Sequence, residues 1–267
     1  MSTQYEQICK DACTGIREVG QYIRSQTKNT QSNISYNYKG KNDFVTDIDK
    51  NSEKKLIAIL SKIFPEAGFI AEEQTTPKNE QLYNWIIDPI DGTTNFIHNL
   101  YPHAISVALV KNNIPLIGIV YEIGLDECFY TWDKAPAYCN GEIIHVSDNK
   151  TIDQSLIATG FPYYDYSKMN GFQQTLDHFM RNSQGIRRLG SAATDLAYVA
   201  CGRFDAFYEY SLKAWDVAAG AFLVQQAGGI VSDFSGKNNY LYGAEIIAAN
   251  KLVYSEFHKI ISSTLHS

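Results

Sequence analysis

The sequence has no C-x-x-C pair. Its five cysteines, Cys9, Cys13, Cys128, Cys139 and Cys201, are scattered and odd in number. That spacing argues against a zinc site or a disulfide framework and points to reduced thiols in a cytosolic protein. No apolar run reaches the roughly 20 residues that a helix needs to cross a bilayer, so no membrane partner is expected. The opening stretch MSTQYEQICKDACTG lacks the basic-then-apolar order of a secretory signal. Positive charge is scarce as well: 23 Lys and Arg stand against 29 Asp and Glu, a formal net charge of −6. Such a chain has no cationic field for a nucleic-acid backbone, and no nucleic-acid partner is expected. A small phosphorylated substrate stays compatible if metal ions supply the missing positive charge.

What is abundant is core material. The 267 residues are 45% hydrophobic, with 18 Tyr and 13 Phe. That suits one large α/β unit or two tightly packed halves. Tyr5, Ile8, Ala12, Ile16, Val19 and Ile23 recur at helical spacing and predict an opening helix. Residues 26–42 are polar and read as a loop or hairpin tip. A second helix is expected from about Asp49 to Phe64, ended by Pro65. GFIAEE, NWIIDP, AISVALV, LIGIVYEI and ECFYTW then read as strands, with a hairpin through Asn112-Asn113. After about residue 140 strands and helices alternate: SLIATGF, a helix at 168–181, GIRRLG, a helix at 191–201, FDAFYEY, a helix at 215–227, EIIAAN and a helix at 251–265. The expectation is therefore an α+β half over 1–140 and an α/β half over 141–267, packed as one unit.

The most informative stretch is WIIDPIDGTTNF, residues 85–96. Trp85, Ile86 and Ile87 form a buried strand, and Asp88 stands at its C-terminal end, where α/β folds place ligands. Pro89 fixes φ, so the turn can present Asp88 and Asp91 to one point, with the Ile90 carbonyl facing the same way. Gly92 permits a close backbone approach, and Thr93-Thr94 can open a short helix whose N–H groups suit an anion. Two carboxylates, a carbonyl and an anion cradle fit a hard divalent cation shared with a phosphate. A second acidic pair, Glu72-Glu73, ends the strand GFIAEE, and Asp216 begins the helix of KAWDVAAGAF. Taken singly, these are a solvated strand end and an ordinary helix N-cap. Should all converge, each like-charge pair at ~4 Å repels by roughly 4 kcal/mol at an effective dielectric near 20. Two or more Mg²⁺ ions would then hold the cluster together and could activate a water for in-line attack at phosphorus.

Together, GFIAEE, WIIDPIDGTTNF and AWDVAAGAFLVQQAGG resemble the inositol monophosphatase family of Mg²⁺-dependent, lithium-sensitive phosphomonoesterases. The likeness runs nearly end to end and implies a layered αβαβα sandwich and a homodimer. It implies that Glu72, Asp88 and the Ile90 carbonyl hold a first Mg²⁺, and that Asp88, Asp91 and Asp216 hold a second. A third, weaker ion would touch Glu72 mainly through water. The Gly92 and Thr93 N–H groups would grip the phosphate. Thr93 Oγ, paired with Asp49, would orient and deprotonate the attacking water, with Glu72 completing the catalytic set. Asp49 reads equally as an acid at a helix N-terminus. Glu73 would support the site from behind.

On the substrate side, the resemblance implies contacts from Asp91, Asp216, the Gly190-Ser191-Ala192 turn and Glu209, whose carboxylate suits hydroxyls of a polyol or ribose. An exposed strand-end acid is the plainer reading of Glu209. The lysine that many members carry before the metal-site acids has no match at the usual spacing; Lys39 and Lys41 are the candidates. The expected reaction is hydrolysis of inositol 1-phosphate. NADP(H) 2′-phosphate and fructose 1,6-bisphosphate are the alternatives, and both activities could share the site. A 3′-phosphoadenosine 5′-phosphate substrate is disfavoured by the short segment, residues 74–87, between Glu73 and Asp88. A non-catalytic regulator that binds phosphorylated ligands is the rival of another class, and the complete set of acids argues against it.

Overall fold

The computed structural model describes residues 2–29, 36–40, 43–75, 81–162 and 165–265. In chain order its elements are α1 (Ser2–Asn29), β1 (Tyr36–Gly40), β2 (Asp43–Thr46), α2 (Asp47–Ile63), β3 (Ala67–Ala71), β4 (Tyr83–Asp91) and α3 (Thr93–Ile97). There follow β5 (Ala104–Lys111), β6 (Ile114–Glu122), β7 (Glu127–Trp132), β8 (Ala137–Cys139), β9 (Glu142–Ile144), β10 (Leu156–Thr159) and α4 (Met169–Asn182). The chain closes with β11 (Gly185–Arg187), α5 (Ala192–Ala200), β12 (Ala206–Tyr210), α6 (Ala214–Gln226), β13 (Ile230–Ser232), β14 (Glu245–Ala249) and α7 (Tyr254–Leu265).

Two sheets organise the molecule. The first has seven strands in the order β3-β4-β5-β6-β7-β8-β9, parallel only between β3 and β4. The second has five in the order β11-β10-β12-β14-β13. Alternation along the strands sorts the core into layers. Trp85, Ile87, Ile105, Val107, Ile117 and Ile119 pack with Ile8, Ile16 and Leu56 of α1 and α2. Ile86, Ala108 and Val120, on the opposite face, pack with Leu196 and Val199 of α5, Ala219 and Leu223 of α6, and Phe207 and Ala248 of the second sheet. The far face of that sheet meets Phe172 and Phe179 of α4 and Phe257 and Ile261 of α7. The order is helix, sheet, helix, sheet, helix, as the resemblance implies.

The middle layer explains its own sequence. Every residue of α5 is buried, and so are Ala214 and Val217–Val224 of α6. A helix clamped between two sheets has no wet face, so it is apolar nearly all round, with Thr194 and Asp195 of α5 the buried polar exceptions. Its residues must also be small. A Cβ on Gly118 of β6 would lie 2.8 Å from the Ala219 carbonyl, and one on Gly220 would lie 2.5 Å from the Leu196 Cβ. These glycines set how close α6 sits to the first sheet and to α5.

Several details differ from the reading of the sequence. Helix α1 runs on to Asn29, into the segment expected as loop or hairpin tip, and β1 within that segment pairs antiparallel with β2 just beyond it. Lys41 and the side chain of Lys39 lie outside the described residues. The Asn112-Asn113 hairpin is present, with both residues at positive φ (49° and 64°), as a two-residue turn between right-twisted strands demands. The short strands β8, β9 and β13 carry too few residues to show an alternating pattern. Among the described residues no helix is long and apolar enough to cross a membrane, and all five cysteines are free.

Candidate active site

Strands β3 and β4 run side by side in parallel, with Ala71 opposite Ile87. Glu72 and Asp88, one residue further on, therefore leave the same sheet edge together, and Glu72 N–H donates to the Ile87 carbonyl at 3.1 Å. Asp88 and Asp91 are an odd number of residues apart, which on a regular strand puts side chains on opposite faces. The irregularity that the register shows between them removes that difference. Asp88 pairs with Ser106 and Asp91 with Ala104, and the residues between bulge out as a turn in which Ile90 N–H donates to Asp88 Oδ1 at 2.9 Å. Gly92 then takes the left-handed conformation (φ 92°), a step that costs glycine little, and α3 begins at Thr93.

Asp216 arrives from α6. It sits in the first turn of that helix, not at the cap itself, and its Oδ2 accepts from the Lys213 N–H at 2.6 Å. Ser106 Oγ of β5 donates to the Trp215 carbonyl at 2.9 Å, pinning the start of α6 to the first sheet. One carboxylate oxygen from each of Asp88, Asp91 and Asp216 lies within 4.8 Å of the others. The electrostatics follow. Burial, then Glu72, Asp91 and Asp216, push the Asp88 carboxyl well above the ordinary range. Burial and Asp91 do the same to Asp216. Asp91 is raised to about 6, first by burial, even though it accepts hydrogen bonds of 2.7 Å from Ser191 Oγ and from Ala193 N–H. A cluster of carboxylates that resist ionisation together, with only hard oxygen donors, fits a divalent cation such as Mg²⁺.

Two further groups brace the cluster. Asp49 in α2 is fully buried, and its Oδ2 accepts from Thr46 N–H at 2.8 Å and from the Thr46 hydroxyl, forming a capping box. Asp49 Oδ1 lies 3.1 Å from Thr93 Oγ1, which also stands 3.0 Å from the Ile90 carbonyl. Asp49 therefore both caps the start of α2 and touches Thr93. Burial raises its carboxyl to about 6. Glu53, one turn further along α2 and fully buried, accepts from Glu73 N–H, Thr75 N–H and Thr75 Oγ1, each at 2.7 Å. It anchors the segment that carries Glu72. Nothing in the spacing of acids marks Glu53; only its placement on the inner face of α2 does.

The remaining wall comes from the second half of the chain. Asn95 Nδ2 donates to the Leu189 and Pro102 carbonyls, each at 2.8 Å, tying α3 to the Gly190-Ser191-Ala192 turn. Gly190 has φ 96°, and a Cβ there would lie 2.5 Å from Arg188 Nη1. Glu209 on β12 is buried, 7% exposed, not an exposed strand end, and burial pushes its carboxyl up to about 8. A cleft of about 470 Å³ joins these parts, lined by Glu72, Asp91, Gly190, Asp195, Glu209 and Asp216 among others.

Over residues 4–266 the sequence matches the inositol monophosphatase family. The chain belongs to that family. The Nus factor SuhB of Escherichia coli strain K12 is 37% identical over 243 residues, 91% of each chain. The solved structure of an inositol monophosphatase from Thermotoga maritima superposes with a TM-score of 0.86 at 33% identity, covering 95% of this chain and 96% of the other. A solved inositol monophosphatase/NADP phosphatase in complex with Mg²⁺ and phosphate superposes with a TM-score of 0.83 at 25% identity, covering 96% and 95%.

Of the residues singled out in the sequence, the family fold thus brings Asp88, Asp91 and Asp216 within one cluster, sets Glu72 on the adjoining strand end, and joins Thr93 to Asp49. Ser191 and Glu209 face the same cleft from the second sheet's side. Sequence reasoning missed Glu53, Asn95 and Asp195. The motif position of Asn95 held a signal, since it follows the two threonines directly; the others are ordinary helix residues until the fold is known.

Proposed function

We propose that the chain is a Mg²⁺-dependent phosphomonoesterase acting on a small polyol phosphate, inositol 1-phosphate foremost. The convergence of Asp88, Asp91 and Asp216 from β4 and α6 carries this reading. Glu72, Asp88 and the Ile90 carbonyl would hold one ion, and Asp88, Asp91 and Asp216 another, with a third beside Glu72. When bound, the ions lower the pKa of coordinated water and offset the charge that gathers on the phosphoryl oxygens.

The chain's own groups do the rest. Gly92 and the first turn of α3 direct backbone N–H groups toward the phosphate. Asp49 Oδ1, raised to about 6 and 3.1 Å from Thr93 Oγ1, takes up the proton that the attacking water passes through the Thr93 hydroxyl. Ser191 and the Ala193 N–H fix Asp91 while it serves both metal and substrate. Glu209 and the Gly190–Ala192 turn receive the alcohol. The protein is read as a cytosolic homodimer.

The experiment is a kcat/KM comparison, with Mg²⁺ and with EDTA, across inositol 1-phosphate, fructose 1,6-bisphosphate, NADP and 3′-phosphoadenosine 5′-phosphate. The reading expects phosphate release that EDTA abolishes, greatest with the inositol ester. No release from any ester would favour a regulatory role, in line with the name of the Escherichia coli relative.

A further inference from the structure

One carboxylate in the cleft has no part in the scheme above. Asp195 lies in the first turn of α5 and is 1% exposed, and its Oδ1 has no hydrogen-bond partner. It lines the cleft together with Glu209, Gly160 and Arg188. An unpartnered buried carboxylate oxygen is unfavourable, since it has lost water and gained nothing. Two features keep it there. The positive end of α5 favours an anion in the first turn. Burial, then Glu209 and Asp91, push its carboxyl well above the ordinary range, and the Arg188 guanidinium offsets part of that push.

Glu209 is held beside it by shape. A Cβ on Gly160 would lie 1.9 Å from the Glu209 carboxyl carbon, so that carboxyl rests against the bare backbone of Gly160. Two buried carboxyls on one wall offer acceptors where a departing alcohol must sit. A hydroxyl donates to a carboxylate and accepts from a protonated carboxyl, so in either state the alcohol they suit carries hydroxyls. The cleft's volume of about 470 Å³ falls within the ordinary range of small-ligand sites.

We infer that Asp195 is a specificity-determining residue: it accepts a hydrogen bond from a second hydroxyl of the alcohol group, alongside the one taken by Glu209, and so selects esters of polyhydroxylated alcohols. This rests on the phosphatase reading. It adds a requirement for a hydroxyl pair on the substrate that the metal site does not impose.

The test compares wild type, Asp195→Ala and Asp195→Asn on two esters with Mg²⁺: myo-inositol 1-phosphate, rich in hydroxyls, and p-nitrophenyl phosphate, which has none on its alcohol. Leaving the substrate hydroxyl without its buried partner predicts a fall in kcat/KM of roughly 10- to 100-fold for the inositol ester. The same variants keep p-nitrophenyl phosphate turnover within about threefold, and their Mg²⁺ requirement does not move. Asp195→Asn, which preserves the volume, carries the test if the alanine variant does not fold. Equal losses on both esters, or a shifted Mg²⁺ requirement, would overturn the inference by showing a structural role; so would no loss on either. Wild type that releases phosphate from neither ester would overturn the phosphatase reading itself, a result distinct from either of those.

Discussion

Ser191 Oγ donates to Asp91 Oδ2 at 2.7 Å, across 100 positions of the chain. The bond joins the end of β4 to the start of α5, and the same serine caps α5 by accepting from the Thr194 N–H at 3.3 Å. A single hydroxyl thus couples the acid cluster of the first sheet to the helix layer behind it.

Asp91→Asn is expected to lower kcat by two orders of magnitude or more while the fold survives. The amide keeps one oxygen for the Ser191 and Ala193 donors but removes a charge from the cluster. Steady-state kinetics and a melting curve check both halves; near-normal turnover would contradict the role given to Asp91.

Magnesium binding is expected to strengthen as pH rises from 5 to 8. Burial raises Asp49 and Asp91 to about 6 and Glu209 to about 8, above the values near 4 of an unfolded chain. Acids raised in this way stabilise the metal-free protein below pH 4 and lose that contribution as pH passes through 6 and then 8. Mg²⁺ should therefore raise the melting temperature most at pH 8 and least at pH 5. An increment independent of pH would show that the cluster does not titrate as a unit.

Glu53→Ala should weaken Mg²⁺ binding and cost stability, about 3 kcal/mol for the lost charge-assisted bonds. Glu53 touches no expected ligand directly; it holds the N–H groups of Glu73 and Thr75. Glu53→Gln keeps an acceptor and should recover part of both losses. Isothermal titration with Mg²⁺ and denaturant melts would measure the two effects.

Gly160→Ala is expected to raise KM for a polyol phosphate and leave Mg²⁺ affinity unchanged. The added methyl would meet the Glu209 carboxyl at 1.9 Å and displace it. A Mg²⁺ titration beside the kinetics separates this from damage to the acid cluster.

Much of the architecture could be read from periodicity, because the long strands β4, β5 and β6 and the helices α1, α4 and α7 each repeat one pattern many times. Of the four strands of three residues, β8, β9 and β13 complete too little of a period to be seen, whereas β11 is legible because GIRRLG stands between two helical patterns. Asp88 and Asp91 were legible because proline and glycine advertise the turn around them. Asp216 taken singly reads as an N-cap, since a helix-opening acid looks the same at the cap and three residues in. For Glu209 the pattern alone reads as an exposed acid, because an acid at a strand end is ordinarily wet, and only the fold shows that it is covered. Glu53 and Asp195 were invisible, since their meaning depends on what lies across from a helix face.

The fit of Ala219 against Gly118 has a consequence for how such a chain can change over time. Gly118 cannot gain a methyl without pushing α6 outward, and Asp216 rides at the head of that helix. Variation is then cheaper in the outer helices, such as α4 and α7, and in the turns facing the cleft than in the middle layer. Descendants of one ancestor could trade substrates freely while the ion-holding acids stay where they are.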